Sequence, residues 1–525
     1  MHHSRTAEAE PAEELAAVRP GLLDRYRAAL PGARAAVLTR LWRAFAHEPL
    51  PWIIRRTRGA HSLTLHLADG RRLHGPLADP YATGDLVTAV RLDRERYDDP
   101  ALLMTDLAVP HAAAFAVELG GSTASLALSR AGADHADADR TGADGTGADR
   151  AGTGHACTGH ARGWPERDWE WEQRVTDGHP FHPNCRYRPG FSVADQLAYG
   201  PEHGAVVELG TVAVPAAECL VSGEWPDELR SGERLLIPVH PWQATHVLKR
   251  SYDPWRPAHP LMSLRTLALS GGPHVKTALS ARLTSSVRDI SVYSVEASAA
   301  LSAFGEELAA RTDGLLHITR TVGAVTAHSP DLAALLRESP EEYAGPGERV
   351  LPVAALATTR LPEDPAWLAA FTRLALTAGL RLLDLGVALE AHGQNLLVIL
   401  SAADDTPLRL VYRDLADIRI SPERLRRHGI TPPALTGRLI NDDETVLRRK
   451  LFGSLVAGAL AGTAGSGAAL GAALGSALPA LPGTPDLPAL REHPLPAKAL
   501  TLMRLSPETP GDQWTALPNP LSFLD

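Results

Sequence analysis

Apolar positions recur at helical spacing through residues 11 to 48, which are rich in Ala, Leu, Arg and Glu, so the chain is predicted to open with helices. Between residues 52 and 120 the pattern shortens. Leu63-Thr-Leu-His-Leu67 has the period of a strand, punctuated by Gly70 and Gly75. Segments 206–209, 235–237 and 267–269 read as strands between Gly/Pro turns, and they make the middle third β-rich to about residue 350. Asp364 and Pro365 then supply an N-cap and a first-turn proline to a helix expected from Trp367 through Leu389. That helix leads into Glu390-Ala-His-Gly-Gln-Asn395. Two apolar runs follow, 396–400 and 408–412, on either side of the polar turn 401–407, and they read as a β-hairpin.

Two stretches break these periods. Residues 131–163 repeat Ala-Gly-Ala-Asp and Thr-Gly-Ala-Asp with almost no large apolar side chain, too few to offset ordering entropy, so a disordered insertion is expected. Its histidines, His135, His155 and His160, could bind a stray metal, but a reading without function is favoured. Residues 451–485 are uncharged and full of Ala and Gly, and end in Pro479 and Pro482. The length permits a membrane span, but small side chains and glycines favour a closely packed helix or a flexible loop.

Composition narrows the class. An apolar content of 44% and a charged content of 22% describe a soluble globular chain, and a net charge of −9 argues against nucleic acid as partner. Cys157, Cys185 and Cys219 stand far apart, so neither a disulfide framework nor a zinc site follows, and a reducing cytoplasm is expected. The first residues lack the apolar core of a signal peptide.

Chemistry concentrates in a few places. Asn395 enters the first hairpin strand and Asp414 leaves the second, so antiparallel pairing brings both to one point with Glu390 and His392. Two carboxylates and an amide oxygen suit Mg²⁺ carrying a nucleotide's phosphates. Ser263, Arg265, Lys276, Thr284, Ser285 and Arg288 place cations and hydroxyls on what read as adjacent strands, a composition suited to a polyanion such as a triphosphate. Gly271-Gly-Pro-His-Val-Lys-Thr277 has Val275 where a phosphate loop needs glycine, so it is not one. In Gly178-His-Pro-Phe-His-Pro-Asn-Cys-Arg-Tyr-Arg188, the prolines favour an extended loop presenting Arg186 and Arg188 to an anion. His179 and His182 of this loop lack a third metal ligand nearby. His240 and Gln243 either line a pocket or flank a core tryptophan. Arg373, Arg381, Arg419 and the arginines of 424–427 read as solvated helix faces. Lys498, alone in an apolar run, either snorkels or reaches a bound anion.

The elements GHPFHPNCRYRPGF, IPVHPWQ, SLRT, Lys276, LTSSVRDIS, EAHGQN, YRD and LPAKALTLMRL occur in one order over about residues 165 to 510. Together they resemble the IucA/IucC family of siderophore synthetases that work without a nonribosomal peptide synthetase. The resemblance implies an α+β cupped-hand fold: a helical thumb (1–163, carrying the insertion 131–163), β-rich fingers (164–350) and a palm mixing helices with a small antiparallel sheet (351–525). It implies ATP and Mg²⁺, and an enzyme that adenylates citrate, a citryl derivative or a related dicarboxylate. The acyl group then passes to an amine or hydroxyl, with AMP and pyrophosphate released.

Carried over by position, Ser263, Arg265, Lys276, Thr284, Ser285, Arg288, His392, Gln394, Asn395 and Lys498 would hold the nucleotide. Glu390, Asn395 and Asp414 would face magnesium. His179, His182, Arg186 and Arg188 would contact substrate, although the family usually has lysine where Arg186 stands. Arg288, His392 and Lys276 are the expected catalytic groups. A cytoplasmic homodimer acting on small molecules, away from membrane and nucleic acid, completes the expectation. Two rivals share the same residues: a small-molecule phosphotransferase, and an anion-binding homologue without turnover.

Overall fold

The computed structural model describes residues 3–142, 164–283 and 286–523. Its architecture is α+β, and three hydrophobic cores follow one another along the chain.

The first core forms where the helices His3–Val18 and Leu23–His47 meet a five-stranded antiparallel sheet whose strands lie side by side in chain order. Ser62–Leu67 alternates buried and open positions as its period predicts. Gly70 does punctuate, at φ +92°, but Gly75 lies inside the strand Arg72–Pro76, where a Cβ would meet the Trp42 ring at 2.6 Å. Close packing of sheet on helix, not a turn, is what requires that glycine. The helix Ala112–Gly142 runs into the start of the expected insertion, continuing from turns where Ala127, Leu128 and Ala131 are buried in the first core. The rest of the insertion, 143–163, lies outside the described residues.

The second core lies in a nine-stranded antiparallel sheet, which includes the expected strands as Val207–Pro215, Arg234–Val239 and Thr266–Leu269. The third surrounds the helix Pro365–Leu385, which Asp364 caps by accepting from Ala366 N. This helix stops earlier than expected, because Gly386 adopts φ +109° and Val387–Ala388 then pairs as a short strand. The predicted hairpin forms from Leu396–Ser401 and Pro407–Tyr412, with Leu396 opposite Tyr412.

Residues 451–485 are ordered as a wide helical turn, Phe452–Leu460, and the helix Gly467–Ala477. They pack closely on the central helix at its Gly379, where an added Cβ would come within 2.9 Å of Leu455. Two other helices, Ala112–Ala133 and Pro365–Leu385, are long and apolar enough to cross a bilayer, yet 78% and 67% of those windows are buried inside the protein. Arg424 is no solvated arginine. It is buried, and its guanidinium pairs with Asp486 at 2.6 Å and donates to the Leu383 carbonyl at 2.8 Å. Arg419 lies on the short strand Arg419–Ile420 and pairs with Asp417 at 2.9 Å, so it is not on a helix face either.

Candidate active site

A cavity of about 1500 Å³ opens between the three cores. Twelve Arg and Lys residues line it against six Asp and Glu, in a chain whose net charge is −9. Such a concentration of one sign between low-dielectric walls draws anions in.

One wall comes from the nine-stranded sheet. Leu264 takes φ +64°, which turns the chain tightly between Ser263 and Arg265. The Ser263 hydroxyl accepts from Thr266 N at 3.1 Å, and Arg265 donates to the Arg288 carbonyl at 2.9 Å. Arg265 is thereby tied to the separate hairpin that carries Arg288 rather than sharing a sheet with it. Lys276 stands opposite Thr266 on the next strand, and Arg337 follows on the strand beyond. Thr284 and Ser285 lie outside the described residues.

The facing wall is the open end of the hairpin. The Tyr412 hydroxyl accepts from Glu390 N and donates to the Asp414 carbonyl, each at 3.2 Å, so the two segments are pinned at one point as the antiparallel pairing requires. His392 Nδ1 accepts from Gln394 N at 3.3 Å, and the Asn395 amide donates to the Glu390 carbonyl at 3.4 Å. Asp414 itself adopts φ +77°. A non-glycine residue held in that region is a familiar mark of a functional site.

The two walls meet through charge. Lys276 Nζ lies 2.6 Å from Asp414 Oδ2, and Arg337 Nη2 lies 3.7 Å from Oδ1. Burial opposes the Asp414 charge, but Lys276 and Arg337 outweigh it and hold the carboxyl well below the usual range. Burial pushes the Lys276 amine down to about 7 against the pull of Asp414. Glu390 is neutralised separately, by Lys450 at 3.2 Å and Lys498 at 3.3 Å, and Lys498 also reaches Asp512 at 3.2 Å. Burial works against the Lys498 charge, while Glu390 and Asp512 more than offset it. Burial also keeps the His392 imidazole neutral, with Glu390 opposing.

Glu390, Asn395 and Asp414 therefore line one cavity, but each carboxylate already has lysine partners, and no group of three or more His, Cys, Asp or Glu gathers among the described residues. The donor set still fits Mg²⁺, which commonly takes one or two carboxylates and completes its shell with phosphates and water.

The histidine–proline loop departs from expectation. It is a run of tight turns, with His182 N bonded to the His179 carbonyl, Cys185 N to His182 and Tyr187 N to Asn184. Arg186 and Arg188 border the cavity, but their guanidinium groups are already paired within the protein. Glu202 takes both, at 3.3 and 2.8 Å, and Arg186 also donates to the Val175 carbonyl at 2.6 Å. Their guanidinium groups answer a buried carboxylate that would otherwise be uncompensated. His179 and His182 do line the cavity. His240 caps a short helix through Nδ1 and Gln243 bonds Ser280 and the Asp331 carbonyl, so both serve the core.

Arg337 and Lys450 line the cavity and Tyr412 pins its wall from behind, and none of the three was expected from the sequence. Arg337 ends the buried run 332–336, and a charge closing a wholly apolar strand was the available signal.

Residues 168–358 match the model of the IucA/IucC family, and residues 365–508 match the ferric iron reductase FhuF-like transporter model. A citryl-spermidine/3,4-dihydroxybenzoyl-citryl-spermidine:spermidine ligase of Bacillus anthracis is 25% identical over 47% of this chain and 50% of its own. Staphyloferrin A synthase of Staphylococcus aureus is 24% identical over 50% of this chain and 55% of its own. The chain thus spans about half the length of the curated relatives it matches. Among solved structures, the petrobactin biosynthesis protein AsbB of Bacillus anthracis superposes with TM-score 0.73 at 17% identity, covering 100% of this chain and 99% of that one. The ATP-bound aerobactin synthetase IucA of Klebsiella pneumoniae gives 0.69 at 19% identity, over 93% and 99%. At these identities the structures speak for the fold, which is the expected cupped-hand α+β fold. Over residues 168–358 this chain is thus similar to the IucA/IucC family, the resemblance its motifs carry.

Proposed function

We propose that the protein is an ATP-dependent siderophore synthetase that adenylates a carboxylic acid and joins it to an amine or hydroxyl. The observation that carries this reading is the meeting of Arg265, Lys276, Arg288 and Arg337 with the His392–Asp414 wall across one cavity. Its volume of about 1500 Å³ exceeds the ~300–1,000 Å³ of single-ligand pockets, so a nucleotide and an acid have room together. The relatives named as ligases and synthetases, and the ATP-bound neighbour, support the same class.

In this reading a carboxylate oxygen attacks the α-phosphorus and pyrophosphate leaves. Two anions must approach, so preorganised cations are the largest catalytic term expected. Arg265, Lys276 and Arg288 hold the phosphates, and neutral His392 donates a hydrogen bond to the phosphoryl oxygen that gains charge. Glu390, Asn395 and Asp414 would hold a Mg²⁺ whose chemistry is to neutralise phosphate charge. A neutral amine or a hydroxyl then attacks the acyl carbon and AMP departs, a step that needs mainly alignment. His179 and His182, on the far wall, would face the acid. The thumb, fingers and palm divisions at 163/164 and 350/351, and a cytoplasmic homodimer, belong to the same proposal.

The FhuF-like match is not carried over as activity. Product analysis tests the proposal: AMP and pyrophosphate support it, ADP supports a phosphotransferase, and nucleotide binding without turnover supports an inactive homologue. A pyrophosphate-release screen across citrate, succinyl-amines, 2-oxoglutarate and polyamines would find the substrates.

A further inference from the structure

The short helix Asp168–Gln173 carries two buried carboxylates four residues apart, Asp168 at 1% exposure and Glu172 at 0%, so both leave one helix face. Asp168 takes His274 at 2.8 Å, two positions before Lys276 on the same strand. Glu172 does more. Its Oε2 accepts from Met262 N at 2.7 Å, immediately before the Ser263–Arg265 turn. Its Oε1 accepts from Arg413 Nη2 at 2.5 Å.

Arg413 in turn fixes the opposite wall. Its Nε and Nη2 both donate to the Gln394 carbonyl, at 3.0 and 2.9 Å, and its backbone N donates to the Asn395 carbonyl at 3.0 Å. Two residues past Met262 and one past Arg413 stand Leu264 and Asp414, the left-handed non-glycine positions among the described residues of the site, at φ +64° and +77°. Backbone of this kind persists only where its surroundings over-determine it. One carboxylate therefore connects the turn that carries Ser263 and Arg265 to the hairpin end that carries Gln394, Asn395 and Asp414. Neither Glu172 nor Arg413 lines the cavity.

The geometry points to Glu172, acting through Arg413 and Met262, as the positioning residue that sets the distance between the two walls of the nucleotide site. This rests on the nucleotide site proposed above. It assigns Glu172 no contact with nucleotide. A structural ion pair alone would need only the charges, whereas this role needs the two-pronged hold of Arg413 on the Gln394 carbonyl and both oxygens of Glu172.

Arg413→Lys separates the two. It keeps a cation beside Glu172 but removes the planar fork. In the full chain, thermal melting, calorimetric titration with a non-hydrolysable ATP analogue, and ATP–pyrophosphate exchange would be measured for wild type, Arg413→Lys and Glu172→Gln. The expected result is a melting temperature near wild type for Arg413→Lys. Its nucleotide affinity or exchange rate should fall by about 10- to 100-fold, the scale of an ångström's misplacement, while KM for the acid stays unchanged. Wild-type affinity and exchange in Arg413→Lys overturns the inference, as does a Glu172→Gln loss that merely equals its unfolded fraction. A wild-type chain that binds the analogue but releases no pyrophosphate with any acid defeats the ligase reading alone, and the variants' affinities still decide this one. Wild type that binds no nucleotide overturns both.

Discussion

Lys276 and Asp414 stand 138 residues apart in the chain and 2.6 Å apart across the cavity. The contact joins two sheets, and it places an amine that burial has lowered to about 7 where a triphosphate would arrive. A bound polyanion stabilises the charged form, so nucleotide affinity is complete below the free amine's pKa and declines as pH rises through about 7 toward the higher bound value. Titration of the wild type with an ATP analogue should show Kd weakening by up to about tenfold per pH unit above neutrality. Lys276→Arg stays protonated throughout and should give a flat profile. An equally flat wild-type profile would remove Lys276 from the phosphate contacts.

Arg288 and His392 face the same space from opposite walls. Truncating either to alanine should lower ATP–pyrophosphate exchange by at least about 100-fold, the usual cost of one preorganised donor to a charged transition state. Melting temperatures should move little, because both side chains border the cavity rather than a core. Normal exchange in either variant excludes that residue from the adenylation step.

What could be read ahead of the structure was local in origin. The hairpin at 396–412 announced itself by two apolar runs and a polar turn, and its pairing then obliged Asn395 and Asp414 to meet. The Asp364–Pro365 start was equally explicit. Partners set by tertiary packing were not readable. Nothing near Arg186 and Arg188 indicates Glu202, and nothing near Arg424 indicates Asp486, because both acids come from other turns brought in by the fold. For the same reason the expected anion-facing loop gave no sign that its cavity-lining arginines also neutralise a buried carboxylate. The boundary of the insertion was also not readable, because a helix packed at Ala127 and Leu128 extends into its first residues.

The Glu202 cluster should matter for stability and little for chemistry. Burial opposes the carboxylate, but Arg188 and Arg186 hold it ionised well below the ordinary glutamate range. Its stabilising share is present above the unfolded pKa and is lost as pH falls toward the depressed native value. Removing one partner of such a buried pair costs about 3–5 kcal/mol. Arg188→Ala should therefore melt well below wild type, with the folded fraction retaining its KM for the acid. A raised KM with unchanged melting would return Arg188 to the substrate contacts.

Glu48 gives the opposite sign. It follows the helix Leu23–His47, is 2% exposed, and accepts from Thr501 N at 3.2 Å and Leu502 N at 2.7 Å, the start of the helix Leu500–Leu505 just beyond Lys498. Burial raises its carboxyl to about 7, against the lowering effect of those backbone donors and Arg43. Between its ordinary value of 4.5 and about 7 the native state binds a proton that the unfolded chain does not. Stability from this group is therefore highest in mild acid and declines as pH rises to neutrality, by a total of about 3 kcal/mol. Glu48→Gln cannot ionise and keeps one acceptor for the helix start. Melting followed from mild acid to neutrality should show a steeper decline for wild type than for Glu48→Gln. Parallel curves would mean that the carboxylate stays charged in the fold, and that the helix Leu500–Leu505 is anchored by a full anion instead.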